Sequence, residues 1–524
     1  MPGDYSRQTF RQKQHYSGVL EQQGRVQTDA DWNEQLEIQL YRTHTESTDV
    51  IGQSGVPKEN NGFEIKKSAG GNDLAIGAGR IYVEGLLCEL EDSNATYANQ
   101  PYLTNPDFTG LASPPSSPPG SRQLNLPAGN YVAYLDAWQR EITALDDKLI
   151  REVALGGPDT TTRLQTVWQV RLLKVGETSP PSSPPASCKT PFADFDKLTA
   201  AANGKLNART QPVAPEDNPC LLPPTAGYNR LENQLYRVEI HKGGPLDQAT
   251  FKWSRDNGSV ETKIKKIAGS VLTVSDTGKD EALGFAAGEW IEIVDDEATL
   301  KSTPHSLAQI DKIGPGPNEI TLKTDVDQFK NGKGLKLRRW DQTTGAADTG
   351  LSITLAPPSS PPGGPSSIWI DLEGGVQVQF SCDTLGETNF RAGDYWLIPA
   401  RTVTGEIEWP PYEIPNLNPI AQAPRGIARR FCRLALITSD GTTITKIEDC
   451  RKKFPSLTTI CAEDICFEND KCDFAGAETV QDALDRLCSA NDLRFHNKHL
   501  HGWGIVCGLQ VYCCTDEDGE ARGI

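Results

Sequence analysis

Three stretches of this chain cannot belong to any helix or sheet. Ser113-Pro114-Pro115-Ser116-Ser117-Pro118-Pro119 recurs as Ser179-Pro180-Pro181-Ser182-Ser183-Pro184-Pro185, and a third copy runs Pro357-Pro358-Ser359-Ser360-Pro361-Pro362-Gly363. Proline has no backbone donor and a fixed φ, so each block is expected to be a solvated, polyproline-II-like loop. A partner that reads polyproline could bind one. A tolerated surface insertion accounts for all three more simply. Thirteen of the 36 prolines sit in these blocks, counting Pro365. The rest of the chain has ordinary proline usage, so the fold must come from the segments between the loops.

Those segments read as β. Residues 130–138, 166–173, 235–241 and 367–371 are rich in β-branched and aromatic side chains, and 375–381 alternates cleanly with period two. Residues 432–438 and 442–448 flank Asp440-Gly441, a hairpin signal. Short strands at 271–274, 290–294, 308–313 and 319–322 predict a small β-barrel inserted at 262–340. Helical signal is confined to the ends. One helix is expected at 29–47, opened by an Asp29 cap. Another follows from Val480, Ala483, Leu484 and Leu487 at i, i+3, i+4, i+7. A turn at Asn491, a short helix through His499 and a strand at 504–512 complete the expected C-terminus.

The expected fold is therefore mainly β, a multi-domain β-sandwich and barrel architecture with short helical segments near both termini. A chain of 524 residues suits three to four domains. The expected division is an N-terminal arm and helix (1–50), a small β domain (51–125), a main β domain (126–261 with 341–455) and the inserted barrel (262–340). A Cys-rich helical region ending in a strand follows (456–524).

Charge narrows the partners. With 52 Lys+Arg against 70 Asp+Glu the net charge is −18, which disfavours nucleic acid as a ligand. No apolar run approaches the roughly 18 residues that span a bilayer. The opening Met1-Pro2-Gly3-Asp4-Tyr5-Ser6-Arg7 lacks the apolar stretch of a secretory signal. A cytoplasmic start is expected, with cysteines reduced or metal-bound rather than paired.

Candidate chemistry is sparse. His496, His499 and His501 lie within six residues, and Cys461, Cys466 and Cys472 form the tightest cysteine group. Either cluster could ligate a metal. Yet the cysteine spacing is not Cys-x2-Cys, and the histidines lack a His-Glu-x-x-His carboxylate. Packed histidines beside Trp503 and buried thiols are the plainer readings. The acid pairs Asp146-Asp147 and Asp295-Asp296 would suit a glycoside hydrolase, but they sit at turn-like positions. No nucleophile elbow, phosphate loop or dinucleotide fingerprint is present, and no cofactor is expected. Ten Trp on a β scaffold could stack sugars. A carbohydrate- or surface-binding adhesin is thus one alternative, and a glycoside hydrolase a second.

Several segments carry a resemblance. The opening Gly3-Asp4-Tyr5-Ser6-Arg7 leads into His15-Tyr16-Ser17-Gly18-Val19-Leu20, then Gln22-Gln23-Gly24-Arg25-Val26-Gln27 and Asp29-Ala30-Asp31-Trp32-Asn33-Glu34. This run resembles the start of the uncharacterised DUF6519 proteins, whose genes often lie near phage-tail-like contractile injection systems. Tyr236-Arg237-Val238-Glu239-Ile240-His241, Phe251-Lys252-Trp253-Ser254-Arg255-Asp256-Asn257-Gly258 and Gly393-Asp394-Tyr395-Trp396-Leu397-Ile398-Pro399-Ala400-Arg401 extend it to about residue 455. Near the C-terminus, Thr479-Val480-Gln481-Asp482-Ala483-Leu484-Asp485 is similar to a helix of tail-fibre and baseplate proteins. His501-Gly502-Trp503-Gly504-Ile505-Val506-Cys507-Gly508-Leu509 resembles the opening of a tail-associated β module.

The resemblance carries no catalytic residues. It implies a non-enzymatic structural part of an injection particle (baseplate, tail fibre or surface subunit) that assembles with baseplate, sheath or fibre proteins. It also implies a homo-oligomer, trimers being common among tail fibres. The particle would assemble in the cytoplasm and be tethered to a membrane through partners or released. The run 3–34 is rich in aromatics and Arg, which anchor interfaces. It reads either as an arm laid on a neighbour or as a segment folded back on its own domain. Tyr5, Arg7, Tyr16, Arg25, Trp32 and Trp503 are the candidate interaction residues.

Overall fold

A computed structural model describes residues 2–69, 73–102, 124–176, 186–211, 227–280, 283–301, 303–314, 316–332, 334–342, 348–355, 366–386, 389–410, 412–413, 418–467 and 476–489. The three Pro/Ser blocks, Cys472, His496, His499, His501, Trp503 and the strand expected at 504–512 lie outside these residues. The chain is mainly β, with several sheets, one closed barrel and helices near both termini.

Three apolar cores organise it. In the first, Gly129–Ile142 and Arg163–Val175 pair along their whole length and are joined by Arg430–Ser439 and Ile444–Asp449 in one four-stranded sheet. The Asp-Gly hairpin forms as its sequence suggests. The Asp440 carboxylate accepts from the backbone N–H of Thr442 at 2.8 Å and Thr443 at 2.7 Å. A smaller sheet, with Ser54–Pro57, Gly79–Val83 and Leu86–Leu90, shares this core. Lys453–Phe454 pairs in parallel with Ser54–Pro57, so the end of the described β region closes on its beginning.

The second core lies between two sheets. Gln234–Lys242 is flanked by Thr250–Ser254 and Tyr395–Arg401. Facing them are Gly204–Thr210 and Val376–Cys382. Alternation explains the packing: Tyr236, Val238, Ile240, Phe251, Trp253, Val376, Val378 and Phe380 all point into the shared core.

The third core fills the closed six-stranded barrel of Glu261–Ala268, Val271–Val274, Trp290–Val294, Ser306–Ile313, Glu319–Leu322 and Lys336–Trp340. Closure removes every exposed edge. The chain enters it just after Thr250–Ser254 and returns to Leu351–Ser352, which pairs with that same strand at Thr250↔Ser352.

The structure departs from the sequence reading in its helices. The N-terminal helix spans Asp29–Ile51, and its cap is Thr28, not Asp29. The Thr28 hydroxyl accepts from Asp31 N–H at 3.3 Å while the Asp31 carboxylate accepts from Thr28 N–H at 3.1 Å, a capping box. Asp29 is occupied elsewhere, by Ser6. Two further helices lie mid-chain, Ala193–Thr199 and Asp296–Lys301, each too short to leave a periodic pattern. The C-terminal helix is Val480–Ser489. Of the strand expected at 367–371, Ile370–Asp371 forms, and Ser366 and Ser367 make only isolated bridges.

Candidate functional site

The alternation that fills the sandwich core places Arg237, Glu239, His241 and Lys252 on the opposite face of their strands. In a lone sheet that face would meet water. Here the barrel covers it. From the barrel side come Glu261, Glu292, Lys336 and Arg338, which the same period-2 rule turns away from the barrel interior. Cross-strand register pairs the charges: Lys252 opposes Glu239, and Arg338 lies between Glu261 and Glu292.

These residues form a buried ionic seam. Lys252 Nζ lies 3.1 Å from Glu239 and also contacts Glu292, so one ammonium ties the sandwich to the barrel. It sits 4.4 Å above the Trp340 ring, whose Nε1–H donates to Glu292 at 2.9 Å. Arg237 Nε donates to Glu239 at 2.6 Å and its guanidinium stacks 3.8 Å from the Tyr395 ring. Arg338 Nε donates to Glu261 at 2.6 Å, and Lys336 reaches Asp146 at 3.1 Å. Burial pushes the Glu239 and Glu292 carboxyls up, but Lys252 beside both outweighs it and holds them well below the usual carboxylate range. Arg338 is likewise held charged: its burial is overcome by Glu261 and Glu292.

A cavity of about 170 Å³ opens at this seam, walled by His241, Lys252, Arg338, Thr299 and His305 among others. His241 is buried, and its Nδ1, like that of His305, has no hydrogen-bond partner among the described groups. His305 Nε2 lies 3.4 Å from Thr299 Oγ1. Burial first, then the Lys252 charge, lowers the His241 pKa to about 4, and burial lowers that of His305. Both imidazoles are neutral at pH 7. A second, partly buried network, Arg339 with Asp256 at 2.8 Å and Arg255 with Glu373 at 3.0 Å, continues the seam. The chemistry of these pairs is electrostatic locking: Glu239, Glu261 and Glu292 are each committed to a cation. The acid pairs have local duties too. Asp295 caps Asp296–Lys301 by accepting from Ala298 N–H at 2.6 Å, and Asp147 accepts from Leu149 N–H at 2.9 Å.

The N-terminal segment plugs into this seam before leaving it. Gly3 N–H donates to Asn257 O at 3.2 Å, and Asn257 Nδ2 returns a bond to Gly3 O at 2.9 Å. A Cβ at Gly3 would lie 2.6 Å from the Tyr5 ring, so any larger residue would have to displace that ring. Tyr5 packs on Leu235, Tyr395 and Leu397, and its hydroxyl donates to Glu141 and lies 2.8 Å from Thr162 Oγ1. Burial, then the Glu141 charge, raises its pKa. Arg7 meets Glu408 at 3.3 Å. The chain then runs along its own N-terminal helix: Gln12 Nε2 donates to the Tyr41 hydroxyl at 2.7 Å, and Val19 N–H to Gln35 Oε1 at 2.7 Å.

The predicted interaction residues thus divide. Tyr5 and Arg7 contact their own chain. Tyr16, Arg25 and Trp32 are exposed. From Arg11 to Asp29 every residue but Val19 is exposed, and Leu20, Val26 and Trp32, at 90%, 87% and 67%, wall one groove with Arg25. Among the other described Trp, seven are buried and Trp369 is half-buried with Arg209 stacked 3.9 Å from its ring.

Of the expected metal candidates, Cys461 and Cys466 are exposed thiols, and the others lie outside the described residues. Among the described residues no cluster of three or more His, Cys, Asp or Glu is placed to hold a metal, and no helix is long and apolar enough to cross a membrane. The expectation of unpaired cysteines fails at one point. Cys188 and Cys450 form a disulfide, drawn together where Cys188 N–H donates to the Glu448 carboxylate at 3.0 Å. Cys88 and Cys432 are buried thiols.

The sequence matches the family described as being of unknown function, DUF6519, over residues 1–181 and 186–485. No curated protein and no solved structure matches it.

Proposed function

For a chain that belongs to the DUF6519 family, we propose a structural role: a subunit of a phage-tail-like contractile injection particle, at its baseplate, fibre or surface, working through protein–protein assembly. One observation carries this reading. The run 3–34 that bears the resemblance to the start of the DUF6519 proteins is also where the chain leaves a groove of Leu20, Val26 and Trp32 open to solvent. The ordered stretch of residues 2–28 that precedes the helix has neither sheet nor α-helix, and stretches of this kind are uncommon in a compact chain and commonly functional. Exposed aromatic and aliphatic side chains beside Arg are what assembly interfaces use. The buried ion pairs of the seam support the same reading, because they stiffen the body that presents the groove.

The alternatives draw less support. A sugar-stacking surface needs exposed indoles, and most of the described ones are in cores. A glycoside hydrolase needs two carboxyls facing a substrate, and those of the seam face cations. Affinity purification of the tagged chain from cells expressing an injection gene cluster tests the proposal. Co-purification of sheath, tube or baseplate proteins is expected, and its loss with Trp32→Ser and Leu20→Ser. A chain recovered without any particle protein ends the proposal.

A further inference from the structure

We propose that the seam is a latch that acid opens: proton uptake by His241 and His305 parts the barrel from the sandwich and lets water in, while each keeps its own core. The inference stands apart from the assembly reading.

The two imidazoles sit where the layers meet. His241 lies on the polar face of Gln234–Lys242, and His305 just before the barrel strand Ser306–Ile313. Both wall the same cavity, and the Nδ1 of each is buried without a hydrogen-bond partner among the described groups. In an imidazolium both ring nitrogens are donors, and neither Nδ1 has an acceptor to meet.

The charges around them set the sign. His241 faces Lys252 from Thr250–Ser254, Glu292 from Trp290–Val294, Glu239 from its own strand, and His305. His305 faces Glu292, Lys252, Arg338 from Lys336–Trp340, and Asp295. The carboxylates attract a proton, but Glu239 and Glu292 already hold Lys252. Lys252 and Arg338 repel one. Burial, the largest effect at both rings, acts with that repulsion and keeps both below the ordinary 6.5, His241 at about 4. With water in the seam the burial is gone. The open form then takes up protons that the closed form refuses, so a fall in pH from 6.5 toward 4 favours opening.

The opening is local. The sandwich core and the barrel core share no residue, and the closed barrel has no edge to unravel. The barrel stays held on its other sides. Leu300 is buried in the first core, and Arg339 with Asp256 and Arg255 with Asp341 brace the two chain crossings. Trp340 reports the seam, because its buried indole lies under Lys252 and donates to Glu292. Trp396 reports the sandwich core, where its Nε1–H donates to Gln422 O at 2.8 Å.

Indole N–H exchange, read by NMR on the full chain carrying isotope-labelled tryptophan, tests this. Each rate is divided by that of free indole at the same pH. Between pH 7 and pH 5, His241 alone raises the opening constant about 20-fold. The protection of Trp340 should fall by at least that factor. Trp340 should also exchange faster than Trp396 and be insensitive to low urea, since local opening exposes little surface. His241→Asn with His305→Asn, which cannot take up the protons, should abolish the fall. Either single variant should reduce it, so the result does not hang on the double variant folding. Constant Trp340 protection over this range, one shared rate for Trp340 and Trp396, or a fall that survives the substitutions would each overturn the inference.

Discussion

The seam between sandwich and barrel and the groove on residues 16–36 use similar residue types to opposite effect. Both combine aromatics with arginine and acids. In the seam, Lys252, Glu292 and Trp340 are buried, Arg338 is half-buried, and each charge meets its opposite. On the arm, Tyr16, Leu20, Arg25 and Trp32 face water although the arm itself is anchored at Gly3 and Tyr5. The difference teaches that composition does not separate structural charge from interaction surface. What separates them is whether a second layer of the same chain lies over the face.

The comparison can be broken most sharply at Lys252. Lys252→Met removes the cation that ties Glu239 to Glu292. Leaving buried carboxylates uncompensated is expected to cost about 3–5 kcal/mol in chemical denaturation. A loss near zero would mean that water reaches the seam. Lys252→Met with Glu292→Leu should recover part of the loss.

His241 gives the next largest effect. Its folded pKa of about 4 lies below the ordinary 6.5. Between these values the unfolded chain takes up a proton that the folded chain refuses, so this group's contribution falls as pH drops from 6.5 to 4. The total is about 3 kcal/mol, at 1.36 kcal/mol per pH unit. Asp394 acts oppositely over nearly the same window, because burial raises its pKa to about 6. The stability of wild type alone therefore hides both. The difference between wild type and His241→Asn isolates the imidazole, and it should shift by about 3 kcal/mol between pH 7 and pH 4. Histidine-selective NMR should show the His241 ring still neutral at pH 5. A midpoint near 6.5 would refute its burial.

Asn257 joins the two regions, and it sits at a left-handed φ of 51°. Asn257→Ala loses the bond to Gly3 and a residue tolerant of that backbone, for an expected cost of about 1–2 kcal/mol. Limited proteolysis should then cut within residues 2–28 faster than in wild type. Asn257→Gly should release the segment similarly with a smaller loss of Tm. The smallest effect belongs to the groove. Leu20→Ser and Trp32→Ser should change stability by less than about 0.5 kcal/mol, as exposed sites do, while abolishing association. A large stability loss there would make the groove part of the fold.

Much of the architecture was legible because period-2 alternation is a local signal. The strands at 271–274, 290–294 and 319–322 coincide with Val271–Val274, Trp290–Val294 and Glu319–Leu322. The seam was not legible. Alternation in Tyr236-Arg237-Val238-Glu239-Ile240-His241 shows that the strand has two different faces, but not that the polar one is roofed by another domain. Charges that meet across 40 residues, as Lys252 and Glu292 do, leave no local pattern. The Cys188–Cys450 pair is separated by 262 residues and is equally silent. The capping box was available as Thr28-x-x-Asp31, but Asp29 next to it competes for the same reading. The half of the C-terminal histidine and cysteine cluster that lies beyond Ser489 is outside the described residues.

The disulfide has a mechanical meaning. Cys188 and Cys450 bracket the sandwich and the barrel, since residues 204–407 all lie between them. Tension applied to the chain from outside the bracket passes from one sulfur to the other and skips the span enclosed by this separation of 262. Under pulling force the barrel, the sandwich strands and the Asp440-Gly441 hairpin cannot be drawn out along the chain, and only the backbone before Cys188 and after Cys450 can be extended.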